Sequence, residues 1–209
     1  MTSIGDAFSW PFADREWPSK VIIQGLIAII PIVGTMALLG WVFMTVDNYR
    51  AGRRELARAG FHLERGVAPW VVVVVYVIVL FLPGGIINGI GAASDNARGL
   101  AFLGGLLYLA AYVLLIFLAP SILLNTYRAG FSGGFDVASV WHLAITEPSP
   151  TFLAAVMFLV ANLIGGLGVI VCCVGLLFTV PYAAAIQAGV LTWYERELAG
   201  PAPSPAASA

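Results

Sequence analysis

The sequence predicts an all-α integral membrane protein: four spanning helices in two hairpins, a kinked or re-entrant first hydrophobic segment, and short interfacial helices. Three observations carry this. Of 209 residues, 60% are hydrophobic and 10% are charged, with a mean hydropathy of +0.95, whereas soluble domains are about half apolar and about a quarter charged. The apolar residues gather in stretches long enough to cross a bilayer, which takes about 20 residues at ~1.5 Å each to cover roughly 30 Å of hydrocarbon. No Asp, Glu, Lys or Arg lies inside those stretches, and five of the ten basic residues fall in one linker, Asp47 to Gly66.

Taken in order, residues 1–20 form an aromatic lead in which Phe8, Trp10, Phe12 and Trp17 are mixed with Asp14, Arg15 and Glu16. This composition suits a helix lying in the headgroup region, interrupted at Pro11 and ending near Pro18. Its acidic residues also separate it from a cleavable signal peptide, whose n-region is basic. The first hydrophobic segment, 21–46, makes about 39 Å of helix, enough for one tilted span and too short for two. Pro31-Ile32-Val33-Gly34 lies near its middle and kinks or breaks it. A single crossing places Arg15 and Lys20 outside. A dip and return leaves only Arg98 outside, which the positive-inside rule favours. A re-entrant backbone has to satisfy its freed amides and carbonyls against protein or water, so it must dock on neighbouring helices.

The second and third hydrophobic segments are 68–90 and 99–124. The last apolar stretch, 151–192, would run about 63 Å as one helix and must fold back. Gly165-Gly166-Leu167-Gly168 is the expected bend, giving helices near 151–164 and 169–192. Residues 135–145 suit a short interfacial helix with His142 at headgroup level. The membrane domain is thus expected over 21–198, with a disordered Pro/Ala/Ser tail over 199–209.

Orientation follows from the Arg-rich linker 47–66, since short basic loops stay cytoplasmic. An internal echo agrees: Asn48-Tyr49-Arg50, Asn125-Thr126-Tyr127-Arg128 and Trp193-Tyr194-Glu195-Arg196 each end an apolar segment with an aromatic ring and an Arg. All three ends are expected on one cytoplasmic face of the cell membrane, together with the C-terminus.

Function is less legible. A net charge of −1 excludes the basic footprint of a nucleic-acid binder. Adjacent Cys172-Cys173 match neither a disulfide framework nor metal-ligand spacing, and His62 and His142 sit in different loops, so no cofactor or metal is expected. No catalytic motif is present, and the chain is not expected to be an enzyme. Ion-coupled transport usually needs an ionisable group within the membrane. Arg50, Arg53, Arg54, Arg58 and Arg65 are the candidates for contact with lipid headgroups or a protein partner. Gln24, Asn88, Asn162 and Gln187 are the candidates for interhelical hydrogen bonds or for lining a polar pathway.

Several short motifs add a resemblance. Trp10-Pro11-Phe12-Ala13-Asp14-Arg15-Glu16-Trp17 precedes Ile29-Ile30-Pro31-Ile32-Val33-Gly34, then Leu39-Gly40-Trp41 and an Arg-rich exit, and later Gly175-Leu176-Leu177-Phe178-Thr179-Val180-Pro181-Tyr182. This order resembles a domain-of-unknown-function family of small polytopic membrane proteins in bacteria and archaea, itself similar to the membrane domains attached to glycerophosphodiester phosphodiesterases. The resemblance implies an all-helical membrane domain with a cytoplasmic N-terminus, and brings no activity or site residues. This chain departs from many members in having Arg58-Ala59-Gly60-Phe61-His62-Leu63-Glu64-Arg65 where an acidic, Trp-containing loop is expected. The reading that follows is a non-catalytic interaction, scaffold or accessory subunit working with membrane lipid and a protein partner or second copy. The alternative is a permease-like protein for an apolar or amphipathic solute, its path lined by spans kinked at Pro83, Pro120 and Pro181.

Overall fold

The computed structural model describes residues 4–93, 98–171 and 175–200. Regular structure among them is entirely helical. Helix α1 (Asp6–Ser9) and a 3-10 turn (Trp10–Ala13) lead into α2 (Trp17–Ala28), a break, and α3 (Val33–Arg50). An irregular strap, 51–62, reaches α4 (Leu63–Ala92), followed by α5 (Arg98–Phe135), α6 (Val137–Thr146), α7 (Pro148–Leu167), a 3-10 turn (Gly168–Val171) and α8 (Leu176–Ala199). Among the described residues, four helices are long and apolar enough to span a membrane: Leu63–Ala92, Gly99–Phe135, Pro148–Ile170 and Leu176–Ala199.

The first hydrophobic segment is not among them, because it folds into two arms. The α2 arm has 12 residues and so reaches only about 18 Å. The arms double back: the Trp10 ring meets Tyr49 edge-on at 4.5 Å, and Asp14 and Lys20 both bond to Leu56, just beyond α3. The start of α2 and the end of α3 therefore lie at one end of the bundle. Pro18, expected to end a helix, instead opens α2 from its first turn, where its missing N–H costs nothing. Trp10, expected at headgroup level, is buried at 8% exposure, because Tyr49 and the core of α8 offer it more apolar contact than an interface would.

At the tip of this hairpin the chain turns through Ile32 at φ 64, ψ −63, with the Val33 amide donating to the Pro31 carbonyl at 2.7 Å. This is a γ-turn, a strained geometry for a β-branched residue. Local bonds satisfy much of the broken backbone: Gly34 N–H donates to Ile30 C=O at 2.8 Å, and the Thr35 hydroxyl donates to Ile32 C=O at 2.8 Å. Local closure leaves Ile29 and Ile32 exposed at 62% and 58%, so the arms dock on neighbouring helices while the tip does not.

The mast of the bundle is α8. From Ala183 to Tyr194 every residue but Gln187 is buried, with α1, α2, α3 and α7 packed around it. Pro181 has no N–H to give the Leu177 carbonyl, which a helix would otherwise bond at i−4. The α2 backbone closes on that carbonyl at Gly25, where a Cβ would collide with it. Glycine is thus required by close approach, and the contact is of the Cα–H···O kind.

The second layer is the α4–α5 hairpin, whose helices run antiparallel with Gly91 beside Ala101 and Gly104 beside Asn88. It joins the rest through α3, where the Trp70 indole N–H donates to the Thr35 hydroxyl at 2.9 Å, and through α7. The third hydrophobic segment outruns its expected end at Leu124. The helix continues to Gly130, where φ 61, ψ −140 reverses the chain in a region that only glycine occupies freely. Asp136 then caps α6 by accepting from the Ser139 amide at 3.0 Å. The bend expected at Gly165 to Gly168 lies later: α7 runs to Leu167 and α8 starts at Leu176. Gly165 packs on Ala183, and Gly168 packs on Leu176 and Thr179, so these glycines permit close helix contact more than a turn. Cys172 and Cys173 lie outside the described residues, as does the tail from Pro201.

Ile32→Gly should raise the thermal midpoint. Relief of about 1–3 kcal/mol of backbone strain exceeds the roughly 0.5–1 kcal/mol of extra chain entropy that glycine loses on folding. Ile32→Ala, which keeps the strain and trims only an exposed side chain, should not raise it.

Candidate functional site

The three echoed helix ends meet at one rim. Arg50, at the end of α3, donates to the Tyr127 hydroxyl of α5 at 2.9 Å and pairs with Glu195 of α8 at 3.0 Å. Arg128 pairs with the same carboxylate at 3.3 Å. The Tyr127 hydroxyl donates to Asp47, and Asp47 also pairs with Arg65 of α4 at 2.9 Å. Four helices are thereby tied by two carboxylates. Asp47 and Glu195 were not candidates on sequence grounds, although an acidic residue at a helix end facing several Arg-bearing ends was a usable signal.

The five candidate arginines divide. Arg50 and Arg65 belong to this internal network. Arg53 donates to the Asn48 side-chain oxygen at 2.7 Å, the Arg54 guanidinium lies 5.8 Å from the centroid of the Trp10 ring, and Arg58 is exposed. Among the described residues none of these three pairs with a carboxylate. Their strap is held from behind: the Trp41 indole donates to Ala57 C=O at 2.9 Å, and Ala57 N–H donates to the Thr45 hydroxyl at 3.2 Å. Within this stretch Leu56 is only 2% exposed, whereas Phe61 and Leu63 lie open. The strap's backbone needs partners, and meeting them draws Leu56 into the core.

The four polar candidates separate too. Gln24 is buried and accepts from the Gly60 amide at 3.1 Å, which anchors the strap. Asn88 packs against Gly104 between α4 and α5. Asn162 and Gln187 come together, the Gln187 amide donating to the Asn162 side-chain oxygen at 3.4 Å. They share a cleft of about 400 Å³ bounded also by Leu39, Tyr112, Ile116 and Phe158. A neighbouring cavity of about 290 Å³ between α7 and α8 contains the same two amides. Leu123, a further lining residue, lies five residues before Arg128, and Tyr112 sixteen before it, so the cleft spans about 8–24 Å below the rim.

A node of hydroxyls lies near the rim end of the cleft. The Tyr194 hydroxyl, fully buried, lies 3.0 Å from Ser121 Oγ and 2.8 Å from Thr151 Oγ1, joining α8 to α5 and α7. None of Pro83, Pro120 and Pro181 lines the cleft. Counting from the rim arginines and Glu195, Pro120, Pro181 and Pro83 sit about 12, 21 and 27 Å deep. The histidines stay apart, His62 contacting the Arg58 carbonyl and His142 the Thr146 hydroxyl, and no group of three metal-ligating residues occurs among the described residues.

Four apolar helices, a charged rim at one end and amide-lined space between the helices define a multi-pass helical membrane protein. Residues 23–174 match the family model of DUF4013, described as a protein of unknown function. The chain belongs to that family. No curated protein and no solved structure matches it.

Tyr194→Phe removes the shared partner of Ser121 and Thr151. Thr151 keeps its bond to the Glu147 carbonyl, so the expected cost is close to one membrane hydrogen bond, about 0.6–1.7 kcal/mol. A lowered midpoint with unchanged helical circular dichroism is the expected reading.

Proposed function

We propose that the chain is a non-catalytic interaction or accessory subunit of the cytoplasmic membrane, with its rim on the cytoplasmic side. Its strap presents Arg53, Arg54 and Arg58 to a protein partner and to anionic headgroups. The observation that carries this reading is the division among the arginines. Arg50, Arg65 and Arg128 are held by Asp47 and Glu195, while the strap's three guanidiniums stand exposed on a backbone fixed from behind. A charge kept exposed on a rigid support loses little freedom on binding. Glu55 and Glu64 also lie exposed on this stretch, so the surface suits a partner of mixed charge with acidic excess.

The permease-like alternative gains less. A pathway needs its polar groups in line, and Asn88 and Gln24 lie apart from the Asn162–Gln187 pair. The same reading takes the family to be prokaryotic and akin to the membrane domains attached to glycerophosphodiester phosphodiesterases, a kinship supported by the short hydrophobic motifs.

Crosslinking in native membranes should recover a stoichiometric partner with the full chain and lose it with Arg53→Ala/Arg54→Ala/Arg58→Ala at equal abundance and midpoint. Recovery of monomer alone from the unaltered chain counts against the proposal. Orientation is tested separately in a Cys172→Ser/Cys173→Ser background. Ser19→Cys, at the rim end of α2, should resist an impermeant thiol reagent applied from outside, and Ala93→Cys, after α4, should react.

A further inference from the structure

We propose that the cleft below the Tyr194 node is a binding site for a neutral amphiphile drawn from the bilayer: an elongated apolar molecule carrying one uncharged hydrogen-bonding group. This goes beyond the proposed role of the rim and does not depend on it. Three features of the cleft specify the ligand.

The first is position and size. The cleft lies about 8–24 Å below the rim and is walled by α3, α4, α5, α7 and α8. Its mouth carries Tyr112, 48% exposed, and Asn162, also exposed, amid the outward apolar residues of α5 and α7. A molecule dissolved in the lipid phase reaches it from the side. Its ~400 Å³ falls in the range of small-molecule sites, roughly 300–1,000 Å³. That is room for about a dozen methylenes if each takes about the ~30 Å³ of a water molecule.

The second is the polar pair. Asn162 gives one amide hydrogen to the Phe158 carbonyl at 2.8 Å, and its oxygen takes the long 3.4 Å bond from Gln187. That leaves the Gln187 oxygen and a further N–H on each side chain without a protein partner among the described residues. Two primary amides offering both donor and acceptor in an apolar wall match a hydroxyl, carbonyl or amide. Leaving such groups unmatched at membrane depth is costly, so they favour a polar ligand over a bare hydrocarbon chain.

The third is charge. Among the described residues the cleft lining is apolar apart from Tyr112, Asn162 and Gln187 and contains no carboxylate, amine, guanidinium or imidazole. A charged headgroup would enter with no counter-ion, which excludes fatty acids and intact phospholipid headgroups from the polar end.

The test is photolabelling of the full chain in phosphatidylcholine nanodiscs with dodecanol carrying a chain diazirine, with crosslinks mapped by mass spectrometry. Labelling should saturate, map to the cleft-lining parts of α5, α7 and α8, and be displaced by 1-dodecanol but not by dodecane or dodecanoate. Asn162→Leu/Gln187→Leu should weaken displacement by roughly 3- to 20-fold, the worth of one hydrogen bond within a membrane. Ala119→Phe, which fills the cleft and leaves both amides in place, should abolish saturable labelling. Unsaturable labelling spread over the outward faces would overturn the proposal. So would equal displacement by dodecane together with an unaffected double variant, the behaviour of a groove for acyl tails alone.

Discussion

The arrangement of the first fifty residues depends on one carboxylate. Asp14 is 4% exposed and accepts from the Glu16 amide at 2.8 Å, the Leu56 amide at 3.0 Å and the Lys20 ammonium at 2.7 Å. Lys20 in turn donates to the Leu56 carbonyl at 3.1 Å. A single buried ion pair therefore satisfies both polar groups of a strap residue and sets the elbow that starts α2. A buried pair adds little net stability over an apolar replacement, because desolvation offsets the attraction. Its effect here is geometric: with Leu56 held at the start of α2, the end of α3 returns to the same end of the bundle. Burial and the nearby Asp14 charge also push the Tyr49 phenol upward where it packs against Trp10.

That return has consequences for the rest of the bundle. Once α3 ends beside α8, Arg50 reaches Glu195, and the ends of α5 and α4 close on the same two carboxylates. Exposed ion pairs are worth little singly. Here a pair of partly shielded carboxylates serves four helices, and the network fixes which ends are neighbours. Side chains of α5, α7 and α8 meet at the Tyr194 node, and beneath that node they enclose the amide-lined cleft. Rim and cleft are in this sense one construction, a closure at the charged end with a space beneath it.

Much of this was legible in the residues and some was not. The membrane class, the number of spanning helices and the meeting of three Tyr/Trp–Arg ends follow from hydropathy and charge placement, which bilayer physics constrains strongly. Within the lead, Trp10 sits deeper than its composition suggested, because an amphipathic aromatic segment suits both a headgroup layer and the outer wall of a core. Composition does not say that Tyr49 and α8 lie within reach of Trp10. The glycines near 165 were misread for a similar reason, since glycine serves turns and close packing alike. Of the polar candidates, spacing gave no means to separate Gln24 and Asn88 from Asn162 and Gln187, because their roles depend on contacts between segments far apart in sequence.

The division among the arginines rests on the same distinction between local and distant information. Arg50 and Arg53 are three residues apart in one basic run, yet one is locked by α8 and the other bonds only to Asn48 on its own side of the loop. A helix end carries its side chains in fixed directions toward neighbouring helices, so Arg50 is committed by the packing of α3. The strap that follows has no regular direction and takes its course from Asp14, Thr45, Trp41 and Gln24. Those contacts are spent on the strap's backbone and on Leu56 and Ala57, which face inward. The guanidiniums of Arg53, Arg54 and Arg58 are left outward as the complement of that inward set. The exposed charge is thus a product of how the strap is anchored, and it persists for as long as the anchor holds.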